Sequence, residues 1–540
     1  MKSFRIISLA LIAIAITGCD AFLNVESASR LSTDNFYQTP SQIDQALTGV
    51  YGALKPFAKY YFGMAEMRSD NMFEIAEAKQ YDIADCAQFN TSSLMGNNYV
   101  KTCWADHYTL IAAANVLLDR IDGVEFTDSL YYKQYVAETR FLRALSYFDL
   151  VRFYGRVPIS LHELSTAEAF TLGQSEPLQV YEQAIVPDLL YAVEHLQMQP
   201  VNYKGQFEPG RATRIAAEAL LGKVYMQMAG YPLYVADAAE QAKIYLKRAI
   251  DHAEETGTYW APDIDAWNRM WIHENDNTRF LFEIQYACAA GQGNPMTPLC
   301  RTSNTASDDY CGANLTVGQH FYVERDLQER MMQGTIDSIT GALIPDDHRF
   351  KWTVNTALVY DEETGTYTGG ATDANNILVK MFEHKIKRAA LGYTDMDASL
   401  VNYTYWPQNF PVLRLEDIML LYAECVGMTD GTDYLNRIRT RAGLPPVSVS
   451  SEEDFQQAVA LERRFELLGE GHRWFDEVRH NTFVADAKQK FYHYRDKRDA
   501  AHSAAYTIYA TRVTQDAALY PIPLSQIQVR DGLYTQNPGY

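Results

Sequence analysis

From Val136 to Phe153 apolar side chains return every three or four residues: Ala137, Phe141, Ala144, Leu145, Phe148 and Val151 form one stripe, flanked by Glu138, Arg140, Arg143 and Arg152. That period predicts a helix with one face committed to a core, and Tyr154-Gly155 with Pro158 predicts its end. A second stretch, Ala216 to Ile250, is more restrictive. It places Ala219, Gly222 and Tyr225 on a first helix and Ala239, Ala242 and Ala249 on a second, small residues where two helix backbones must approach closely. This resembles a tetratricopeptide unit of about 34 residues, a helix-turn-helix that buries its face only by stacking on neighbours. Similar pairs are expected at Tyr108 to Val151 and at Leu413 to Arg441. The fold class that follows is mainly α: a tetratricopeptide-like helical repeat scaffold, with a loop-rich irregular part and a few short strands.

A chain of 540 residues would ordinarily divide into three or four domains, unless stacked repeats merge them. Between about Thr256 and Trp406 the helical period is lost. Gly291-Gln292-Gly293-Asn294-Pro295 and Gly369-Gly370 mark turns, and aromatics occur without spacing. Strands are expected only in short pieces, at Arg279 to Tyr286 and at Leu358 to Tyr360, with Tyr367 across a Glu363-Thr364-Gly365 turn. Loops on a rigid frame are where recognition residues concentrate. With 68 acidic residues against 47 basic ones the chain carries a net charge of -21. A phosphate-binding surface needs clustered Lys and Arg, so nucleic acid is not an expected partner.

The N-terminus predicts export. Lys2 and Arg5 precede an apolar run of 11 residues, Ile6 to Ile16, broken only by Ser8. A membrane span takes roughly 20 such residues, so the run reads as a signal peptide. Ile16-Thr17-Gly18-Cys19 then has the form of a bacterial lipobox, making residues 1–18 the removed peptide and Cys19 the lipidated N-terminus of an acidic tether, 19–34. The remaining cysteines are Cys86, Cys103, Cys288, Cys300, Cys311 and Cys425. In an oxidising compartment they could pair in fifteen ways. Sequence proximity favours Cys86 with Cys103 and Cys300 with Cys311. Zinc would want C-x2-C pairs, which are absent.

Common catalytic signatures are also missing: there is no G-x-x-x-x-G-K-[ST], G-x-G-x-x-G, G-x-S-x-G or H-E-x-x-H. No cofactor is expected. In the block Glu462 to Asp476, Glu462, Glu466 and Glu470 recur every four residues and could be read as a glycosidase carboxylate pair. The interleaved Arg463, Arg464 and Arg473 favour structural ion pairs instead. Asp361-Glu362-Glu363 and Asp395-Met396-Asp397 lack the EF-hand pattern and read as solvated turns. What remains is aromatic and amide content, with 37 Tyr. A sugar has an apolar C–H face and a rim of hydroxyls, so its site wants a flat ring beneath and Asn, Asp or Arg at the edge. Trp104 and Trp474 lie in helical stretches and are assigned to the core; aromatics on the nonperiodic loops are the better candidates.

Several motifs occur in order along the chain. After the lipobox come Asn35-Phe36-Tyr37, Gly49-Val50-Tyr51, Trp104 to Asn115, Arg140-Phe141-Leu142-Arg143-Ala144 and Phe153-Tyr154-Gly155-Arg156-Val157-Pro158. Arg414-Leu415-Glu416, Tyr422-Ala423-Glu424, Leu435 to Leu444, the Glu462 to Asp476 block, Tyr520-Pro521-Ile522-Pro523 and a terminal Gln536-Asn537-Pro538-Gly539-Tyr540 follow. Together they resemble the SusD/RagB family of nutrient-binding outer-membrane lipoproteins of Bacteroidota. The resemblance implies tetratricopeptide-like units packed against an irregular ligand-binding part. It divides the chain into an N-terminal helical region (35–255), an insertion with ligand-binding loops (256–406) and a C-terminal helical region with tail (407–540). It further implies a non-enzymatic, lipid-anchored outer-membrane protein, facing the cell exterior, that binds oligosaccharide and delivers it to a SusC-like TonB-dependent transporter. Some relatives handle peptides, so the same lid with a peptide ligand is the alternative; a hydrolase built on Glu462 and a purely structural scaffold are the other two.

Family layout and local chemistry together put the ligand on loops near Asp70 to Tyr99 and Tyr286 to Trp352. Tyr81, Tyr99, Tyr286, Tyr310 and Trp352 are the expected stacking rings, and Arg68, Asp70, Asn71 and Asn97 the expected partners of hydroxyls.

Overall fold

The structure is a computed structural model that describes residues 36–74, 82–271, 279–287, 289, 291–296, 321–336, 343–355, 359–361, 366–368, 377–378, 408–498 and 500–540. The signal peptide, Cys19 and the tether lie outside these residues, as do Tyr81, Tyr310, Cys300 and Cys311.

Helices dominate, and their ends follow local chemistry. Helix α1 (Pro40–Gly52) opens on a capping box in which Thr39 and Gln42 satisfy each other's exposed amides. In α2 (Asn98–Ile121) the Asn97 carboxamide accepts from the amides of Tyr99 and Val100. Helix α3 (Ser129–Tyr154) starts on Asp128 and stops at Gly155, whose φ of 71° breaks the helical path as expected. Next come α4 (Val186–His195), α5 (Arg214–Ala229) and α6 (Ala238–Thr256). Helix α7 (Leu415–Arg441) is broken at Gly427, φ 76°, and is followed by α8 (Glu452–Glu466). In sequence order α2 packs on α3, α3 on α4, and so on through α8, giving the expected stacked helical frame.

The small residues do what the pattern requires. A methyl on Gly222 would come within 2.7 Å of the Leu246 side chain and 3.0 Å of its amide, so α5 and α6 meet nearly backbone to backbone. Ala219, Ala242 and Ala249 are buried there, and Tyr225 stacks on Tyr245. One position differs: Ala239 is exposed and Ala238 is buried in its place. Ala239 lies one position past the seam, and its carbonyl accepts from the Cys425 thiol at 3.2 Å.

The stripe on α3 is buried, and so are Glu138 and Arg143 beside it, because α3 is covered on several sides. Burying charge is costly unless it is paired. Glu138 meets Arg211 at 3.2 Å, and Arg143 grips Asp188 through two bonds of 2.8 and 2.9 Å.

Strands are short. Phe280–Ile284 pairs antiparallel with Phe410–Arg414, while Val359–Asp361 pairs with Thr366–Thr368, Tyr360 opposite Tyr367 as the turn predicts. A further ribbon, Met72–Glu74 with Phe321–Val323, was not legible in the sequence. The C-terminal motif is a clasp: the Asn537 amide donates to the carbonyls of Tyr154 and Tyr520, and the Tyr520 amide donates to Phe153. Among the described residues no helix is long and apolar enough to cross a membrane.

Candidate functional site

The ribbon pairs Met72–Glu74 antiparallel with Phe321–Val323. One strand leads into residues 75–81, which carry Tyr81, and residues 297–320, which carry Tyr310, lead into the other. Both rings themselves lie outside the described residues.

The remaining expected ligand residues are largely committed to the frame, which corrects their assignment as open binding groups. Arg68 is 0% exposed. Its guanidinium lies 4.4, 5.1 and 4.3 Å from the ring centres of Phe89, Trp474 and Tyr520 and donates to the Ala517 carbonyl. Asn71 is buried, with its amide nitrogen on Glu66 and its carbonyl taking a bond from Arg464. Asn97 is the cap of α2. Tyr286 is 5% exposed; its hydroxyl donates to the Lys55 carbonyl at 2.7 Å, and burial pushes the phenol well above its ordinary pKa. Trp352 sits on the short helix Phe350–Thr353 within the apolar core, 7% exposed. Tyr99 is half-buried, edge-on to Tyr60. Trp104 and Trp474 are buried, as the helical spacing implied.

The expected Cys86–Cys103 bridge is not formed: both thiols are free and buried. Cys86 sits on the short helix Asp82–Ala87 and approaches the Asp82 carbonyl, whereas Cys103 on α2 faces His107. Burial raises the Cys86 thiol to about 12.

Among the described residues of that set, Asp70 and Tyr286 line open clefts, Asp70 one of about 280 Å³ beside the ribbon. Arg473 grips its carboxylate at 2.8 and 2.9 Å, and Arg464 lies at 3.3 Å. Burial would raise this carboxyl; the two guanidinium groups instead hold it far below the usual carboxylate range. Glu477 and Asp486 approach Asp70 closely enough to suggest a cation site, but Arg473 already serves that charge, at 3.1 Å from Glu477 and 3.5 Å from Asp486. Lys490, Glu324 and Arg330, which no sequence motif marks, also line the cleft. Lys490 donates to the carbonyls of Ser69 and Met72, and burial lowers it to about 8.

Glu324 caps the helix Arg325–Met331 by accepting from the Leu327 amide. Burial lifts its carboxyl from 4.5 to about 7, only partly offset by Arg464. A carboxyl raised in this way favours the folded state fully below 4.5, and that contribution is lost as pH rises through about 7. Glu324→Gln, which keeps an acceptor for the cap, is expected to match the parent at pH 4 and to be more stable by about 1–3 kcal/mol at pH 8. Urea unfolding at the two pH values checks this.

The Glu462, Glu466 and Glu470 carboxylates are also resolved by geometry. All three are 0–1% exposed. Their partners are not the interleaved arginines but Arg349, Arg414, Arg439 and Arg441 from distant segments. Arg463 pairs instead with Asp417 and Asp476, and Arg473 with Asp70.

Comparison with known proteins places this arrangement. Residues 278–540 match the model described as SusD family, and residues 21–226 match one described as starch-binding associating with outer membrane. A SusD-like protein of Formosa agariphila is 24% identical over 515 residues, 90% of this chain and 93% of that one. A SusD-like protein of Bacteroides ovatus is 24% identical over 511 residues, 91% of this chain and 85% of that one. The crystal structure of a SusD homolog from Bacteroides thetaiotaomicron superposes with a TM-score of 0.75 at 22% identity, covering 95% of this chain and 99% of that one. A laminarin-binding SusD-like protein superposes with a TM-score of 0.67 at 24% identity, covering 93% and 100%. With SusD models matched in order over both parts of the chain and the helical frame shared end to end, this chain belongs to the SusD/RagB family.

Proposed function

We propose that this chain is a lipid-anchored protein of the outer membrane, facing the cell exterior, that captures an oligosaccharide and passes it to a SusC-like TonB-dependent transporter without altering a covalent bond. The observation that carries the reading is the match of residues 21–226 to a family described as starch-binding and associating with the outer membrane. The geometry supports it in two ways. Asp70 and Glu324, next to the two strands of the ribbon, line one open cleft. The Glu462, Glu466 and Glu470 carboxylates are buried and ion-paired, which argues against their serving as the acid and base of a hydrolase. Cys19 is the proposed lipid attachment.

Titration calorimetry of residues 20–540 against maltoheptaose, laminarihexaose and a mixed peptide pool tests the reading. Binding of at least one oligosaccharide is expected in the micromolar to millimolar range, roughly 4–8 kcal/mol, with no heat from the peptides. Tyr310→Ala is expected to weaken that binding about tenfold, about 1.4 kcal/mol. Peptide binding without sugar binding would replace the proposal with the peptide lid.

A further inference from the structure

A two-lobed cleft lies between α1, the hairpin 200–211 and the strand Phe280–Ile284, and shares no residue with the Asp70 cleft. One lobe, of about 190 Å³, is walled by Phe207, Pro200, Tyr259 and Phe280. The other, of about 270 Å³, is walled by Tyr51, Lys55, Glu208, Gln285 and Tyr286. Pro209, Gly210, Arg211 and Glu283 line both, so the lobes lie side by side.

Each lobe is built from short-range chemistry. The Asn202 carboxamide accepts from the amides of Lys204 and Gln206, closing a tight turn, and Val201 bridges to Phe207 across it. The Phe207 ring is left 55% exposed at the edge of the apolar lobe. In the polar lobe the side chains are already oriented before any ligand arrives. The Asn409 amide donates to Glu283 at 3.0 Å and to Gln285 at 3.1 Å, and Gln285 donates to Glu283 at 3.0 Å. Gly210 has a φ of 88°, and a methyl there would come within 2.9 Å of the Gln285 amide, so only glycine lets that amide lie against the hairpin. Arg211 is 6% exposed and fastened to Glu138 and Asp44, with Glu208 at 3.1 Å from its Nε.

Formal charge in the cleft balances, Lys55 and Arg211 against Glu208 and Glu283. Equal numbers of acidic and basic side chains present a net anion or a net cation with no excess of opposite charge. The cleft joins flat rings to fixed amide and carboxylate groups, a combination suited to a molecule with apolar faces and a hydroxyl rim. We infer that this cleft is a second saccharide site, holding a short neutral oligosaccharide with one sugar against Phe207 and the hydroxyls of the next on Gln285 and Glu283.

Hydrogen exchange of residues 20–540, read over the hairpin 200–211, tests this with maltoheptaose, laminarihexaose and the peptide pool. At least one sugar is expected to slow exchange there. Phe207→Ala removes an exposed ring, and Gln285→Ala removes an amide without filling space; each is expected to weaken that protection tenfold or more, with Tyr310→Ala leaving it intact. Protection that survives Tyr310→Ala but not Phe207→Ala establishes a site separate from the loop site, whatever the fate of binding at the loops. Absence of protection by either sugar, protection unchanged in both Phe207→Ala and Gln285→Ala, or protection by peptides alone would overturn the inference.

Discussion

Glu466→Ala is expected to lower the unfolding free energy by about 3–5 kcal/mol in urea, with oligosaccharide affinity of the folded fraction unchanged. Glu466 is the hub of a buried ionic web. Its Oε1 accepts from the Trp267 indole at 3.0 Å and from Arg414 at 2.9 Å, and its Oε2 meets Arg349 and Arg441 at 2.7 Å each. Removing it strands part of the charge of three guanidinium groups in a region closed to water. Arg414 keeps Glu470, and Arg349 keeps Asp347 and Glu462, so the web is weakened without being emptied. A stability loss below about 1 kcal/mol would show that water or rearrangement compensates the missing carboxylate. A change in sugar affinity with stability intact would instead assign Glu466 to the ligand site.

Arg68→Ala is expected to cost a comparable ~3–5 kcal/mol, because it removes the centre of an aromatic box and leaves a cavity among Phe89, Trp474 and Tyr520. It also leaves the Ala517 carbonyl without the donor that now reaches it at 2.8 Å. Since Arg68 ties the segment entering the ribbon to the C-terminal clasp, hydrogen exchange is expected to rise in both places together. Denaturant unfolding gives the magnitude. Full stability combined with lost sugar binding is the result that would restore Arg68 as a ligand residue.

These two residues mark where sequence reasoning stops. Arg68, Asp70, Asn71 and Asn97 were expected in the site because their side chains suit hydroxyl groups. Glu66 holds Asn71 from five positions away, but other partners are remote: Arg473 reaches Asp70 across 403 positions, and Arg464 reaches Asn71 across 393. Tyr286 stands at the end of a legible strand, yet its hydroxyl is taken by Lys55, 231 positions away. The Glu462 block was correctly read as structural, but its arginine partners were misassigned because residues adjacent in a helix project in different directions.

The elements that were legible share one property: each is decided within a turn or two of chain. The period on α3, the small residues that let α5 and α6 touch, the Tyr360–Tyr367 register and the inward placement of Trp104 and Trp474 need only neighbours at short spacing. Apolar periodicity and backbone sterics therefore determined the helical frame from sequence alone. Tertiary structure decided which polar groups were consumed inside that frame and which were left facing a cleft, because a buried charge is tolerated only where the fold brings a partner to it.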